Sequence, residues 1–379
     1  YEPDLCAGSF RTTALVEQLK HLKGVEIEVI TTMPNRYASF SAGALNIELK
    51  ENIKIHRIDL PSHKSGMLDQ IKSFTTFYYE AMKIVKNEEY DVIYATSSRL
   101  FTAFLGARIA KKKTKPLYLD IRDIFVDTLE SLMNKKIKFL ILPIIRIIEG
   151  MTFKYAQHIN LISPGFKNYF EEYKLSANFS YFTNGIDEDF LTKHDGSPKF
   201  TTNGKLRVTY AGNIGEGQGL HKIIPDIAEK LKDHFEFIIY GDGGAKSKLI
   251  LEIRKRGIKN VQIKLPVPRM ELKKIYHHSD YLFLHLNDYE AFEKVLPSKI
   301  FELSTFNKTI LAGVSGFAKK FIKQEVKYSF VFNPGDSEAL FQYLKSHSTN
   351  ASIERNEFIN KYRRSLVNQD FARLILNHL

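Results

Sequence analysis

The sequence predicts an α/β protein made of two Rossmann-like domains, each with a parallel sheet. Short β-rich runs alternate with helical stretches through the first half of the chain, which is the pattern of βαβ units. After a polar stretch from Lys193 to Lys205, the same alternation begins again. The chain has 379 residues, and single cores stop growing near about 250–300 residues. The restart therefore marks a second domain.

Three segments follow from this pattern. We expect an N-terminal domain over residues 1–187 and a C-terminal domain over residues 188–350. The last segment, residues 351–379, is helical in pattern and long enough to cross back over the first domain. In the first domain we predict these strands: Glu26–Thr31, Lys54–Ile58, Asp91–Ala95, Leu117–Asp120, His158–Ser163 and Phe179–Thr183.

Composition narrows the class of protein. The single cysteine, Cys6, excludes an internal disulfide and fits a reducing compartment, so we expect a cytoplasmic protein. No apolar run approaches the roughly 20 residues of a membrane span. The net charge of +12 is uneven, with 11 Lys/Arg against 4 Asp/Glu between Arg99 and Arg146. Nucleic acid is disfavoured as a partner, because basic charge without a recognisable binding module is unspecific.

A cationic and apolar stretch, Lys135–Arg146, lies within this basic span. It is too short to span a bilayer but suits a segment lying in an anionic interface. The alternative is a buried helix with a solvated basic end. We predict that the protein is peripheral on the inner face of the cell membrane.

Two strand ends of the first domain carry candidate binding residues. Parallel sheets bind ligands at the carboxyl ends of their strands. Gly8, Ser9 and Arg11 form a small-residue turn that enters a helix, where glycine allows close approach and serine can cap. Asp120, Arg122 and Asp123 follow a buried strand, so they either pair as structural ions or bind the hydroxyls of an acceptor sugar.

The second domain carries glycines or polar groups at four consecutive strand ends. Leu206–Ala211 runs into a loop with glycines at 212, 215, 217 and 219, and Phe235–Tyr240 runs into Gly241-Asp242-Gly243-Gly244. Glycines between a first strand and a helix allow phosphate to approach closely. The spacing differs from the dinucleotide fingerprint G-x-G-x-x-G, which disfavours a hydride-transfer enzyme. After Val261–Leu265, exposed backbone near Pro266 can contact a flat base.

The fourth strand, Tyr281–Leu286, leads to Pro297-Ser298-Lys299-Ile300-Phe301-Glu302. Proline is favoured at the first helical position, so we predict that a helix begins at Pro297. Its free N–H groups suit a phosphate, Lys299 adds a cation, and Glu302 can accept hydrogen bonds from a ribose diol. The alternative is an ordinary capped helix with a solvated lysine and glutamate.

These residues together resemble the retaining glycosyltransferases of family 4, which have the GT-B fold of two Rossmann-like domains facing across a cleft. The similarity extends over nearly the whole chain, and its nearest branch builds O-antigen and capsule repeats and includes N-acetylfucosaminyltransferases. It rests on seven pieces: 7–11, 120–123, 184–187, 212–215, 218–219, 241–243 and 297–302.

The resemblance assigns roles to individual residues. Catalysis is expected from Lys299, with Glu293 adjacent to the position of the first glutamate of the family's E-x7-E motif, where this chain has Lys294. The donor-binding residues are expected to be Gly212, Asn213, Gly215, Gln218, Gly241, Asp242, Leu265, Pro266, Ser298 and Glu302. The acceptor-binding residues are expected to be Gly8, Ser9, Arg11, Asp120, Arg122 and Asp123. Asn213 and Gln218 stand where many members have Arg and Lys, so Lys299 must supply the charge.

The implied reaction is metal-independent transfer of a hexose, with retention, in bacterial surface polysaccharide synthesis. The expected donor is a UDP-sugar whose sugar is an N-acetylated aminosugar. It serves as a co-substrate, and no cofactor is expected. The expected acceptor is a sugar linked to polyprenyl diphosphate. Two alternatives remain: a UDP-sugar 2-epimerase of the same fold, and a catalytically inactive GT-B partner at the membrane.

Overall fold

The computed structural model describes residues 1–4, 7–34, 43–61, 67–97, 100–132, 135–191, 204–346 and 353–377. The chain divides into two compact units. The first unit comprises Tyr1–Asn184 and Arg364–Leu379, and the second unit comprises Gly185–Arg363. The end of the chain thus returns to the first unit.

The first unit contains two sheets among its described residues. Its strands are β1 (Ile27–Thr32), β2 (Ile47–Lys50), β3 (Ile53–Ile58), β4 (Ile93–Ser97), β5 (Leu117–Ile121), β6 (His158–Leu161) and β7 (Asn178–Ser180). One sheet has the order β1-β3-β2 and the other has the order β4-β5-β6-β7. All neighbouring pairs are parallel except β2 and β3. The six predicted strands are therefore present, and β2 is an additional antiparallel strand.

Helices cover these sheets. They are α1 (Ala7–Lys20), α2 (Met67–Ile84), α3 (Leu100–Lys113), α4 (Phe125–Leu132), α5 (Lys135–Tyr155), α6 (Lys167–Glu171) and, from the end of the chain, α14 (Arg364–Leu376). Helix α14 packs beside α1, where Phe371 and Ile375 join Leu15 and Tyr118 in one buried cluster. Burial of this apolar cluster fastens the end of the chain to the first unit.

The second unit has one six-stranded parallel sheet. Its strands are β8 (Leu206–Ala211), β9 (Phe235–Tyr240), β10 (Val261–Lys264), β11 (Tyr281–His285), β12 (Thr309–Gly313) and β13 (Ser329–Phe332), in the order β10-β9-β8-β11-β12-β13. The order reverses between β8 and β11, which is the switch point of a doubly wound sheet. The four strands β8, β9, β10 and β11 are those named above from the sequence.

Helices lie on both faces of this sheet. They are α7 (Leu220–Lys230), α8 (Lys246–Lys255), α9 (Arg269–His277), α10 (Lys299–Leu303), α11 (Gly316–Glu325), α12 (Ser337–Ser346) and α13 (Asn356–Tyr362). One core cluster joins α7, α8 and α12 to one face, and another joins α9, α10 and α11 to the opposite face. The close packing of these two apolar clusters holds the strand ends of the second unit in place.

Candidate active site

The four strand ends chosen from the sequence lie along one edge of the second sheet. Strands β10, β9, β8 and β11 are consecutive neighbours, and each pair is parallel. Their carboxyl ends therefore meet at the same edge. This brings the glycine loop after β8, defined as residues 212–219, beside the turns that follow β9, β10 and β11.

The glycines at this edge are required by close backbone approach. A Cβ atom on Gly241 would lie 1.9 Å from the Gly212 carbonyl oxygen. Gly243 has a φ of +149°, and a Cβ atom there would lie 2.7 Å from the Ile214 carbonyl oxygen. The Ile214 N–H donates to the Asp242 carbonyl at 2.8 Å. The turns after β8 and β9 thus form one compact backbone layer that any larger residue would push apart.

The two amides of the glycine loop bind each other. Asn213 Nδ2 donates to Gln218 Oε1 at 2.9 Å, and the Gly215 N–H donates to the same oxygen at 3.2 Å. These two hydrogen bonds close the glycine loop, and all the groups that form them are uncharged. The resemblance led us to expect Asn213 and Gln218 in contact with the donor, and here these side chains shape the loop.

Lys299 and Glu302 form an ion pair at this edge. Lys299 Nζ lies 2.8 Å from Glu302 Oε2, and the two side chains remain 26% and 21% exposed. Burial alone would lower the pKa of Lys299, but its interactions with Tyr276 and Glu302 raise it above the ordinary value. Lys299 therefore carries its positive charge throughout the physiological range, and both side chains remain accessible to a ligand.

Two buried tyrosines surround this pair, and no sequence pattern pointed to them. Burial raises the pKa of Tyr276 to about 12. Tyr210 Oη donates to the Asn213 carbonyl at 2.6 Å, which connects the surroundings of Lys299 to the glycine loop. Because burial raises the pKa of both tyrosines, they remain neutral throughout the physiological range.

The helix of the Lys299 segment begins two residues later than predicted. The prediction placed Pro297 at its first position, whereas α10 begins at Lys299 and has only five residues. Ser298 lies directly before it in helical backbone geometry, without a side-chain cap, and it is exposed. Since so short a helix has a small dipole, the charge at this edge rests mainly with Lys299. Ile300 and Leu303 are buried, as predicted.

Glu293 lies in a 3₁₀ helix, Glu290–Lys294, with its side chain exposed. Its backbone packs closely against Gly316, which has a φ of +54° and where a Cβ atom would lie 2.1 Å from the Glu293 carbonyl oxygen. Within the described residues, the Glu293 carboxylate has no assigned hydrogen bond or ion pair. The contact of Lys299 in this part of the chain is with Glu302, so a catalytic role of Glu293 stays a prediction.

Asn287 and His285 hold the loops together, and sequence reasoning missed both roles. Asn287 Nδ2 donates to the Glu216 carbonyl at 2.8 Å, and its backbone N–H donates to the Gly217 carbonyl at 2.8 Å. His285 Nδ1 lies 2.6 Å from the Gln218 carbonyl oxygen, and its Nε2 accepts from the Gly335 N–H at 3.0 Å. The sequence does contain one signal of the role of His285, which is a histidine at the last position of a buried strand.

Burial lowers the pKa of His285 to about 4 and outweighs the opposing effect of the Gln218 carbonyl. The neutral imidazole, with its proton on Nδ1, satisfies both contacts at once. His285 is thus a neutral connector between the glycine loop and the loop that follows β13.

Arg11 and Asp120 require a correction. We expected them to bind an acceptor, but their side chains are 1% and 0% exposed and pair with each other at 2.8 Å. Arg11 also donates to the carbonyls of Thr183 and Phe182, while Asp120 accepts from three further side chains: Tyr94, Thr96 and Asn160. Burial alone would raise the pKa of Asp120, yet Arg11 holds it below the ordinary value. Both groups have their hydrogen bonds satisfied inside the unit, so Asp120 is a structural ion whose partner is Arg11 rather than a charge of its own segment.

The other first-unit residues lie closer to the surface. Gly8 packs against Arg122, since a Cβ atom on Gly8 would lie 2.3 Å from an Arg122 guanidinium nitrogen. Ser9 is buried, whereas Arg122 and Asp123 are half-buried. Gly8, Arg122 and Asp123 therefore remain candidates for contact with an acceptor.

Helix α5 contains the predicted cationic and apolar stretch and has two different faces. Leu142, Ile145 and Glu149 are buried against the first unit. On its other face five large apolar side chains are exposed: Phe139 81%, Leu140 70%, Ile144 59%, Ile147 63% and Met151 57%. The side chains of residues 135–137 lie outside the described residues. None of the described helices is long and apolar enough to cross a bilayer.

Glu149 anchors the inner face of α5. It accepts hydrogen bonds from Tyr173 Oη at 2.5 Å and from Tyr169 Oη. Burial raises the pKa of Glu149. This anchor fixes the rotation of α5 and keeps its apolar stripe outward.

Comparison with known proteins relates the second unit to glycosyl transferases. Residues 196–365 match the family described as Glycosyl transferases group 1, which is less than half of the chain. A stretch of 97 residues is 34% identical to the putative colanic acid biosynthesis glycosyl transferase WcaI of Escherichia coli K12. That stretch covers 25% of this chain and 23% of the length of WcaI.

Solved structures extend the likeness to the whole fold. Sucrose-phosphate synthase from Thermosynechococcus elongatus superposes with a TM-score of 0.75 at 11% identity, over 97% of this chain and 92% of the other. Anabaena Alr3699/HepE in complex with UDP superposes with a TM-score of 0.68 at 15% identity, over 93% and 100%. The predicted fold class is confirmed: the chain has the GT-B fold, with two Rossmann-like units.

Proposed function

We propose that this protein is a retaining, metal-independent glycosyltransferase of bacterial surface polysaccharide synthesis. It moves a hexose, an N-acetylated aminosugar, from a UDP-sugar to a sugar linked to polyprenyl diphosphate. The observation that carries the proposal is the accessible ion pair of Lys299 and Glu302 beside the glycine loop. The match of residues 196–365 to group 1 glycosyl transferases and the UDP complex of Anabaena Alr3699/HepE support the same donor.

In this proposal Lys299 stabilises the leaving group. The bond between the sugar C1 and the β-phosphate oxygen breaks, and negative charge develops on that phosphate. A preorganised cation beside the developing charge, at a partly buried position, usually contributes more to catalysis than any other single effect. Glu302 both orients Lys299 and accepts hydrogen bonds from the ribose diol. The glycine loop allows the diphosphate to approach the backbone.

No side chain is assigned as a general base. The acceptor hydroxyl attacks C1 on the face that the diphosphate leaves, and its proton passes to the departing phosphate oxygen. One C–O bond forms as the other breaks, so configuration at C1 is retained. Charge on Lys299 assists by stabilising the phosphate while it accepts this proton.

The acceptor is proposed to reach the enzyme at the inner face of the cell membrane. The five exposed apolar side chains of α5, with Lys138 and Arg146 on the same helix, form the surface of an interfacial helix. A polyprenyl-diphosphate acceptor has its sugar at the bilayer surface, which is also the depth that an interfacial helix occupies. The proposed membrane contact therefore brings the acceptor near the first unit.

The donor assignment is tested by thermal shift against UDP, GDP, ADP and CMP, with and without Mg²⁺. A ligand that binds only the folded state raises the melting temperature. We expect a selective shift with UDP that does not depend on magnesium. Selectivity for GDP would redirect the donor toward GDP-sugars, and the absence of any shift would overturn the donor site. Incubation with a UDP-sugar alone separates the 2-epimerase, which would produce a new UDP-sugar.

The membrane assignment is tested by flotation with vesicles of phosphatidylglycerol and phosphatidylcholine. Replacing Phe139 and Leu140 together by serine removes two exposed apolar side chains, and we expect binding to weaken about tenfold or more. Leu251→Ser is the matched control, because Leu251 is 64% exposed on α8 of the second unit. Equal binding by the wild type and the double variant would contradict the membrane contact.

A further inference from the structure

Among the residues that the structure describes, no helix covers one part of a face of the second sheet. The connections through α7 and α8 lie on one face of β8, β9 and β10, where Phe237 and Ile239 are buried. On the opposite face, α9 leaves β10 and packs toward β8. The side chains that β9 and β10 present there are mostly polar: Glu236 and Tyr240 are half-buried, Gln262 and Lys264 are exposed, and the apolar Ile238 is buried between Glu236 and Tyr240.

This open face forms a groove of about 470 Å³, within the roughly 300–1,000 Å³ typical of ligand sites. Its lining residues are Lys205, Arg207, Glu236, Ile238, Tyr240, Lys259, Asn260, Gln262 and Lys264. We call it the sheet-face groove. Four of its side chains are cationic and one is a carboxylate. Contact with water explains why the residues on a sheet face are polar. It does not explain why most of the charged ones are positive.

Two of the four cations are available to a ligand. Arg207 lies 3.7 Å from Glu236, and Lys205 Nζ donates to the Lys232 carbonyl at 2.7 Å. Lys264 lies over the Tyr240 ring, 5.5 Å from its centroid. Within the described residues, neither Lys259 nor Lys264 is assigned an ion pair. The charge of the groove is therefore largely uncompensated.

The spacing of the cations favours an extended ligand. Lys259 precedes β10 and Lys264 ends it, five residues apart, so the groove runs roughly 16 Å along the strand direction at about 3.3 Å per residue. A single phosphate would use one cation and leave the others unpaired. A chain with repeated anionic groups can reach the cations at both ends.

We propose that the sheet-face groove binds an anionic sugar chain. Its cations would pair with carboxylates or phosphates, the side-chain carbonyl of the exposed Gln262 can accept from a sugar hydroxyl while its NH₂ donates to Glu236, and the Tyr240 ring offers an apolar surface to a sugar. The side chains lie on the face of the sheet, where a peptide finds no backbone partner. The inference rests on the proposed function only for the source of the chain, which is the polysaccharide under assembly. Binding itself requires no catalysis.

The probe is an oligogalacturonate, with a maltooligosaccharide of equal length as the neutral control, measured by titration calorimetry at low and high salt. We expect binding of the acidic oligomer alone, weakened by salt because exposed charges are screened. The variant K205E/K259E, at the end of the groove far from the donor edge, should weaken it at least tenfold. The control K255E/K323E makes the same charge change at exposed lysines elsewhere and should leave it unchanged.

Several results would overturn the inference. These are no binding by the wild type, equal losses in both variants, or tighter binding of poly-glutamate, which would indicate an acidic protein partner. Melting curves identify any variant that fails to fold, and K259Q alone then serves as the milder test, with a smaller loss expected. Thermal shift by UDP is measured in parallel. A UDP shift without glycan binding refutes the groove alone, whereas glycan binding without a UDP shift refutes the donor site alone.

Discussion

The two units each place an arginine or lysine beside a carboxylate near a strand end, and the two pairs differ in what surrounds them. In the first unit Arg11 and Asp120 are completely buried, and neighbouring side chains and carbonyls take up their remaining hydrogen bonds. In the second unit Lys299 and Glu302 keep about a quarter of their surface exposed. A buried and saturated pair holds a fold together, whereas a partly exposed pair can exchange its partner for a ligand.

The largest effect is expected from breaking the buried pair. Asp120→Ala leaves the Arg11 guanidinium buried without its counter-charge, so the free energy of unfolding should fall by about 3–5 kcal/mol. Urea denaturation followed by circular dichroism measures the change. Asp370→Ala is the control, because Asp370 belongs to an exposed pair with Arg373 at 3.7 Å and should change stability by less than about 1 kcal/mol. Unchanged stability of the Asp120 variant would return this residue to an acceptor role.

Sequence reasoning singled out all four residues, but it did not pair Arg11 with Asp120 and could not separate the roles of the two pairs. The alternation of strands and helices predicted the sheets, and the position of Asp120 and Lys299 after buried strands predicted that they matter. Whether a charge past a strand end is buried depends on distant segments. Here Thr183 and Phe182 approach Arg11 from about 170 residues away. No local pattern of the sequence contains that information.

The same limit explains the residues that were missed around the candidate site. Tyr276 lies on α9 and reads in the sequence as an ordinary core residue, and His285 reads as an alternating strand position. Their roles arise only when strand order brings β8 next to β11. Strand β2 was missed because its four residues are largely exposed and carry no buried face. The glycine loops were found because close backbone approach restricts the residue type directly.

Loss of the Lys299 side chain should change turnover rather than stability. Lys299→Ala should lower turnover by a factor of hundreds, because a cation worth about 3 kcal/mol to the transition state is lost. Its melting temperature should change little, since the side chain is partly exposed. Lys361→Ala is the matched control: Lys361 pairs with Glu325 at 2.8 Å in the same unit, and its loss should leave turnover unchanged. Steady-state assays with a UDP-sugar measure both, and normal turnover of the Lys299 variant would defeat the assignment.

The smallest effect is expected when the pH is lowered, because His285 in the second unit and the Arg11–Asp120 pair in the first unit should respond in different pH ranges. The pKa of His285 is lowered to about 4 in the folded protein, whereas an unfolded histidine has a pKa of about 6.5. Between these values the unfolded chain binds a proton that the folded chain does not. Stability should therefore fall as pH falls from about 6.5 to about 4, by at most about 3 kcal/mol. The Arg11–Asp120 pair should not contribute in this window, because a carboxylate with a lowered pKa loses its stabilising effect only below the ordinary value of about 3.9.

The measurement is the free energy of unfolding of wild type and His285→Gln at several pH values through this window. The variant has no titrating imidazole, so its curve should lie flatter than that of the wild type. His234→Gln replaces an exposed histidine of the same unit and should follow the wild type. Identical slopes for wild type and the His285 variant would mean that His285 is not held neutral in the fold. The connection between the glycine loop and the loop after β13 would then need another explanation.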